Sequence, residues 1–270
     1  MPASIVSAVV ATALTSIALA GFAAPFLGGA QEATLKITVL FDNIAAASDL
    51  QTDWGYACLI EGLEETILFD SGADGDILMA NIDRLGVDVQ KVDVVVLSHF
   101  HGDHTAGLRA FLQRNADVTI YMPESFPAAF QDEMRGLGAE VLTVRGPARL
   151  FGAAHSTGEM GRQIIEQSLI IETANGLVLI TGCAHPGILE IVQAAKSYME
   201  QDVHFVTGGF HLMRSSEAQL DAVISGLQNE GVQRVAPSHC TGEESIALFR
   251  AAWGEEFVVS GCGAVIELAR

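Results

Sequence analysis

Basic residues are scarce in this chain. Its 270 residues include 14 lysines and arginines against 33 aspartates and glutamates, a formal charge of −19. Nucleic-acid binding normally rests on a basic surface that neutralises phosphates, so this balance argues against a polyanion as a large ligand. A local group, Arg145, Arg149 and Arg162, still leaves room for a small phosphate. Cysteine is scarce too: Cys58, Cys183, Cys240 and Cys262 do not make a dense disulfide framework. Cys58 and Cys262 read as small buried hydrophobes. Nothing between Lys36 and Arg270 looks like a linker, and with 50% hydrophobic residues the chain can bury a sizeable core.

The first 31 residues carry no charged side chain at all. Residues 5–20 are apolar and rich in small side chains, and Ala18-Leu19-Ala20 fits the cleavage pattern of a secretory signal. Gly28-Gly29-Ala30 offers a second cut. No lysine or arginine precedes the apolar run, and residues 5–30 are long enough to span ~30 Å of hydrocarbon despite Pro25. An uncleaved anchor is therefore the alternative, and a misplaced cytoplasmic start the third reading. The expectation is a signal peptide or anchor over residues 1–30 and a folded domain over residues 34–270, exported to the periplasm. Membrane contact would run only through an uncleaved N-terminal segment.

Ser98 to His104 reads Ser-His-Phe-His-Gly-Asp-His, with three imidazoles and a carboxylate between His99 and His104. The preceding run Val92-Asp93-Val94-Val95-Val96-Leu97 is rich in β-branched residues and reads as a strand buried on both faces. The cluster thus sits where a strand gives way to a loop, a common seat of chemistry. In extended chain, residues i and i+2 point the same way, so His99 and His101 can grip one ion together. Asp103 and His104 come from the following turn and can reach a second. This density of ligands is a metal site.

Coarse periodicity gives two similar halves. In the first, strands are expected over residues 35–41, 56–61, 65–70, 93–98 and 118–122, with helices over 74–85, 106–114 and 127–137. In the second, strands over 167–172 and 177–181 flank Asn175-Gly176, a two-residue hairpin signal. Helices over 188–199, 217–230 and 243–252, strands over 203–207 and 234–237, and closing strands within 257–268 complete the pattern.

His-x-His-x-Asp-His after a hydrophobic strand resembles the signature of the metallo-β-lactamase-fold superfamily. Ile67-Leu68-Phe69-Asp70-Ser71-Gly72, Thr181-Gly182-Cys183-Ala184-His185 and Pro237-Ser238-His239-Cys240 resemble its other motifs. Together with Leu40-Phe41-Asp42-Asn43, Gly208-Gly209-Phe210-His211 and Ser238-His239-Cys240-Thr241-Gly242, they resemble one branch. That branch takes its name from 7,8-dihydropterin-6-methyl-4-(β-D-ribofuranosyl)aminobenzene-5'-phosphate synthase, and the likeness runs from about Lys36 to Leu268. The resemblance implies an α/β (α+β) fold of four layers, an αββα sandwich with its site at one edge of two facing sheets.

It also implies a metal-ligand set of His99, His101, Asp103, His104, His185 and His239, with Cys183 as the departure. Most hydrolases of the superfamily have an aspartate there that bridges two metals. A thiolate is softer: it can bind one ion, as in zinc β-lactamases, or stand aside and leave the task to His185. One or two zinc ions are expected, with manganese or iron as alternatives. Asp70 is expected to orient the metal loop through hydrogen bonds. Glu166 can act similarly, although a solvated face is the commoner reading of one glutamate. His211, behind two glycines, can hold substrate or serve as acid, with a structural role as the alternative. His155 looks superficially like another ligand, but His185 competes for that place; His204 has no role.

A bound divalent cation lowers the pKa of water from ~15.7 towards ~7 and so supplies hydroxide for attack on an electrophilic carbon or phosphorus. Asp103 can steer that nucleophile and His211 can protonate the leaving group. The expectation is a metal-dependent hydrolase of a small-molecule ester, a phosphoester or phosphodiester first. The alternatives are the branch's synthase activity, a non-haem-iron redox enzyme and a non-catalytic metal-binding protein. The sequence does not fix an oligomeric state.

Overall fold

Strand β1 (Thr34–Asp42) pairs with β2 (Tyr56–Glu61), which pairs in turn with β3 (Ile67–Phe69); both pairings are antiparallel. Strands β4 (Val94–Val96), β5 (Thr119–Pro123) and β6 (Glu140–Val144) then add in parallel, the register running Phe69↔Val96 and Val96↔Tyr121. The second sheet contains β7 (Ala148–Phe151), β8 (Ala154–Ser156), β9 (Leu169–Thr173), β10 (Gly176–Thr181), β11 (Val203–Gly209) and β12 (Arg234–Ser238). Its order is β12-β11-β10-β9-β8-β7, and β13 (Val265–Ala269) returns to the first sheet beside β1, making seven strands there. This is a computed structural model of the chain, and it describes residues 1–4 and 34–270.

Three apolar clusters make four layers. Strand residues alternate between faces because successive side chains point to opposite sides. Val94 and Val96 therefore enter the core between the sheets, where they meet Ile171, Val178, Ile180 and Phe205. Val95 and Leu97 face the other way, onto the cluster beneath helices α1 (Gly75–Arg84), α3 (Leu108–Arg114) and α4 (Ala128–Gly136), to which the short α2 (Gly102–Thr105) adds no side chain. In the second sheet, Leu177 and Leu179 pack outward beneath α5 (Ile188–Met199), α6 (Glu217–Asn229) and α7 (Glu243–Trp253). The αββα sandwich expected of the sequence is the architecture observed.

Three strands carry no sequence expectation: β6, β7 and β8. Only Val141 and Val144 of β6 are buried, and none of β7 is, so the periodic apolar signal that marks a strand is missing there. The expected helix over residues 106–114 begins earlier, as α2, and is broken at Ala106-Gly107. A Cβ on Gly107 would lie 2.0 Å from the Ser71 carbonyl oxygen, so close packing on the loop after β3 fixes the break. The closing strands reduce to β13. Residues 257–264 instead form a glycine-bearing turn in which Gly263 has φ 90° and would meet Ala47 if it carried a Cβ.

The strand ends position the chemistry. β3, β4 and β5 run parallel, as do β10, β11 and β12. Asp70, His99, Cys183, His211 and His239 all lie within three residues past a strand of one of these sets. Carboxyl ends of parallel strands are where open α/β sheets place their ligands. The signal-peptide or anchor segment expected over residues 1–30 lies outside the described residues apart from Met1 to Ser4. Among the described residues no helix is long and apolar enough to cross a membrane.

Phe111, fully buried on α3, links the helices to the first sheet. Phe111→Ala is expected to lower the unfolding free energy by about 3–5 kcal/mol. A urea titration with an unchanged midpoint would show that this layer does not support the sheet.

Candidate metal centre

The first ligand group is His99, His101 and His185; the second is Asp103, His104, His239 and Cys183. Within each group the ligand atoms lie within 4.8 Å of one another. His99 and His101 project together from the extended end of β4, their rings 4.6 Å apart, and His185 closes on them from the loop after β10. Asp103 and His104 lie in α2, where the chain turns after His101. His239 follows β12, and its Nε2 lies 3.5 Å from Asp103 Oδ2; His104 Nε2 lies 3.6 Å from the same oxygen. The seven residues expected as ligands thus converge, four elements supplying them.

Three of the five imidazoles, those of His99, His104 and His239, have the outward nitrogen fixed by an outer partner. Asp70 Oδ2 receives His104 Nδ1 at 2.7 Å, while Asp70 Oδ1 accepts the Ser98 backbone N–H at 2.7 Å. Ser98 Oγ lies 2.7 Å from Asp70 Oδ2 and 2.9 Å from His99 Nδ1. Asn43 Oδ1 meets His239 Nδ1 at 2.9 Å, so the Asn43 amide selects the tautomer of the last ligand. These contacts leave the Nε2 atoms of His104 and His239 aimed inward; that of His239, like that of His185, is buried without a hydrogen bond. Buried orphan nitrogens of this kind are costly unless a cation completes them. Three imidazoles in one group, and a carboxylate with two imidazoles and a thiol in the next, suit zinc or another divalent transition metal.

The electrostatics agree with a cation. Burial disfavours the His104 cation, yet the charge and hydrogen bond of Asp70 outweigh it and push the imidazole up to about 9. The same field favours a metal at Nε2. Burial lowers His185 to about 4, reinforced by His211 and His101, and burial beside its neighbours holds His99 well below the usual range. Both are neutral and able to donate a lone pair. Burial alone would raise Asp103, but His239 and His104 hold its carboxyl well below the ordinary carboxylate range.

Glu166 is not on a solvated face. It is buried, and its carboxylate accepts the backbone N–H groups of Cys183 (2.9 Å), Ala184 (2.8 Å) and His185 (2.8 Å). Burial still pushes its carboxyl up to about 7 against those donors. Nothing local in the sequence marked this clamp, because the loop it holds lies 17 to 19 residues away. His155 sits apart from both ligand groups, hydrogen-bonded to Glu172 (3.2 Å) and Tyr198 (3.4 Å). His204 faces Gln233 at 3.0 Å. The arginine group divides: Arg145 lies 3.7 Å from Glu124, Arg149 donates to the Gly152 carbonyl, and only Arg162 lines a cleft at the metal residues.

This geometry, two sheets presenting a clustered histidine and carboxylate site at their strand ends, defines a metal-binding sandwich. The sequence pattern of the metallo-beta-lactamase superfamily matches residues 55–189, and the chain belongs to that superfamily. Over 86% of its length it is 26% identical to a protein of Methanocaldococcus jannaschii named 7,8-dihydropterin-6-methyl-4-(beta-D-ribofuranosyl)-aminobenzene-5'-phosphate synthase, 96% of which is covered. A crystal structure of a metal-dependent hydrolase of the beta-lactamase superfamily superposes with TM-score 0.74 at 24% identity, covering 87% of this chain and all of that one. The short form of human tRNase Z superposes with TM-score 0.58 at 14% identity, over 86% of this chain and 98% of that one. A diphosphatase from the PhnP family gives TM-score 0.57 at 16% identity, over 87% and 97%. The superfamily fold implies divalent metal binding, for which these residues are the candidates.

Asp70→Asn and Glu166→Gln are each expected to weaken metal affinity by about 10–100-fold, since outer partners orient the ligands. Competition with a chromophoric chelator measures it. An affinity equal to wild type would mean that the loops hold their own geometry.

Proposed function

We propose that this protein is a zinc-dependent hydrolase of a small phosphoester or phosphodiester. Two clefts, of about 700 and 530 Å³, open onto the metal residues, and a third of about 400 Å³ opens beside them onto His211 and Cys240. The first reaches His239 and ends at Arg250; the second joins His185 and His211 to Arg162; the third joins His211 to Arg214. Ten of the 14 cationic side chains have a hydrogen-bond or carboxylate partner among the described residues. The four without one are Lys91, Arg162, Arg214 and Arg250, and the last only stacks on Phe257. Three of those four line the clefts. In so acidic a chain, that placement is the single observation that carries a phosphorylated substrate, because a free guanidinium offers paired N–H donors to phosphate oxygens.

When bound, the divalent metal supplies Lewis acidity and an ionised water at neutral pH. The residues do the rest. The outward contacts of Asp70, Ser98 and Asn43 hold His104, His99 and His239 in one tautomer each. Asp103, one-fifth exposed at its side chain, can orient the attacking water or accept its proton. His211, exposed at the mouth of two clefts with its ring 4.3 Å from His185, is placed to donate a proton to the leaving oxygen. Exposed Trp54, Phe100 and Met213 give the rim apolar contact for the remainder of a small molecule.

The charge of −19 favours a small substrate over a nucleic acid, although the fold is shared with tRNase Z. Export to the periplasm, or retention by an anchor, rests on the uncharged N-terminal residues. A second reading, a synthase acting on dihydropterin and phosphate-bearing substrates, draws on the Methanocaldococcus jannaschii relative. An exported chain weighs against a role in cofactor assembly.

Zinc-loaded protein is expected to hydrolyse phosphodiesters or phosphomonoesters in preference to neutral lactones and lactams. Asp103→Ala should abolish turnover with the fold intact. Arg214→Gln should raise KM about tenfold or more, the worth of one or two hydrogen bonds to a charged group. Equal turnover of neutral and phosphorylated esters by wild type, with KM indifferent to Arg214, would overturn the phosphate assignment; condensation without hydrolysis would favour the synthase.

A further inference from the structure

A third cluster of ligand atoms adjoins the two already described. Cys183, His211 and Cys240 bring two thiols and an imidazole within 4.8 Å of one another. The cluster comes from three strand ends, those of β10, β11 and β12, so the parallel ladder sets its spacing rather than one loop. His211 holds a left-handed backbone conformation, φ 54°, and a ring nitrogen of its imidazole lies within 4.8 Å of both thiols. Gly209 makes the approach possible: a Cβ there would stand 2.7 Å from Cys240 Sγ. Both thiols are almost fully buried, yet Cys240 and His211 line the cleft that also holds Trp54, Met213 and Arg214. The cluster therefore has an entry path. Cys58 and Cys262 offer a contrast. Among the described residues neither joins a ligand group.

We propose that Cys183, His211 and Cys240 form a third cation site, selective for a soft or borderline d10 ion and taking zinc, with Cys183 shared with the second ligand group. Two thiolates and one imidazole are a donor set that zinc accepts in tetrahedral geometry, the fourth position open to the cleft. Manganese, which prefers carboxylate, carbonyl and water oxygens, has no such partner there. A thiolate keeps lone pairs enough to face two cations, and His104 Nε2 lies 3.2 Å from Cys183 Sγ, so the shared sulfur joins the sites. The site leaves the phosphate assignment through the clefts' arginines untouched, but where zinc is bound His211 is a ligand and no longer the proton donor to the leaving oxygen.

The test is metal titration of the full chain under a phosphine reductant, with content read by elemental analysis after desalting. Wild type should saturate at three equivalents of zinc but only two of manganese. In cobalt-loaded protein the third equivalent should bring an added near-ultraviolet band of thiolate-to-cobalt charge transfer. Cys240→Ser should remove one equivalent of zinc and that added absorption. His211→Ala, an exposed position less prone to disturb folding, should also lose the third equivalent. His101→Ala should lose a different equivalent and keep the thiolate band, so failure of the histidine group is told apart from failure of this one. Saturation of wild type at two zinc ions, equal excess binding of manganese and zinc, or a third equivalent that survives Cys240→Ser would each overturn the site.

Discussion

The Asp70 carboxylate ties the molecule together. It sits at the end of β3, fully buried, and takes up the Ser98 backbone N–H, the Ser98 hydroxyl and the His104 imidazole. A buried carboxylate without partners would cost several kcal/mol or lose its charge. With these three it becomes the fixed point from which the histidine loop is hung. The second sheet is fitted to it. A Cβ on Gly182, just past β10, would lie 2.1 Å from Ser98 Oγ and 3.0 Å from Asp70 Oδ2. Both sheets thus meet at one hydrogen-bonded knot, and the ligands of each are registered against it.

Backbone strain is concentrated around that knot. Five described non-glycine residues have positive φ, and four of them are Asp70, Ala184, His211 and His239. The fifth, Glu200, merely caps the end of α5. Each such residue costs of order 1–3 kcal/mol, tolerated only where the surroundings over-determine it. Here they do: Glu166 pins Ala184 through its N–H, Asn43 holds His239, and Asp70 is fixed by the donors that its carboxylate accepts. The strain turns side chains inward at points where an ordinary strand end would carry them past one another. It is the cost of aiming imidazoles from several separate loops at one small volume.

Much of this was legible in the sequence because it is local. A β-branched run followed by His-x-His-x-Asp-His specifies a strand, a turn and a set of donors within thirteen residues, His104 counted from Val92. The apolar runs within 167–172 and 177–181 likewise announced β9 and β10 on either side of the Asn175-Gly176 turn signal. What escaped was non-local or weakly patterned. Glu166 looks like any glutamate until the fold sets three amides over it. Cys240 stood inside a recognised motif, but its neighbours Cys183 and His211 lie 57 and 29 residues away in sequence, and only the parallel ladder joins them. Strands β6 to β8 escaped for the opposite reason: β6 and β7 are half-solvated, and β8 is buried but only three residues long with a single apolar side chain, so none leaves a period.

The charge distribution then decides what can reach the site. A chain at −19 repels polyanions over distances up to the screening length, about 8–10 Å at physiological salt. A long nucleic acid must lay many phosphates across that surface and meets the repulsion along its whole length. On the proposed reading a small anion would cross it once and arrive where Arg162, Arg214 and Arg250 have no carboxylate partner among the described residues. Inside the clefts the guanidinium groups act at hydrogen-bond range, where salt screens little, while the distant acids act through water and screen well. Acidity at large and arginine at the mouth are therefore not in conflict. Under the proposed function they would together select for size as well as for charge, and the same negative field would raise the local concentration of divalent cations around the histidines.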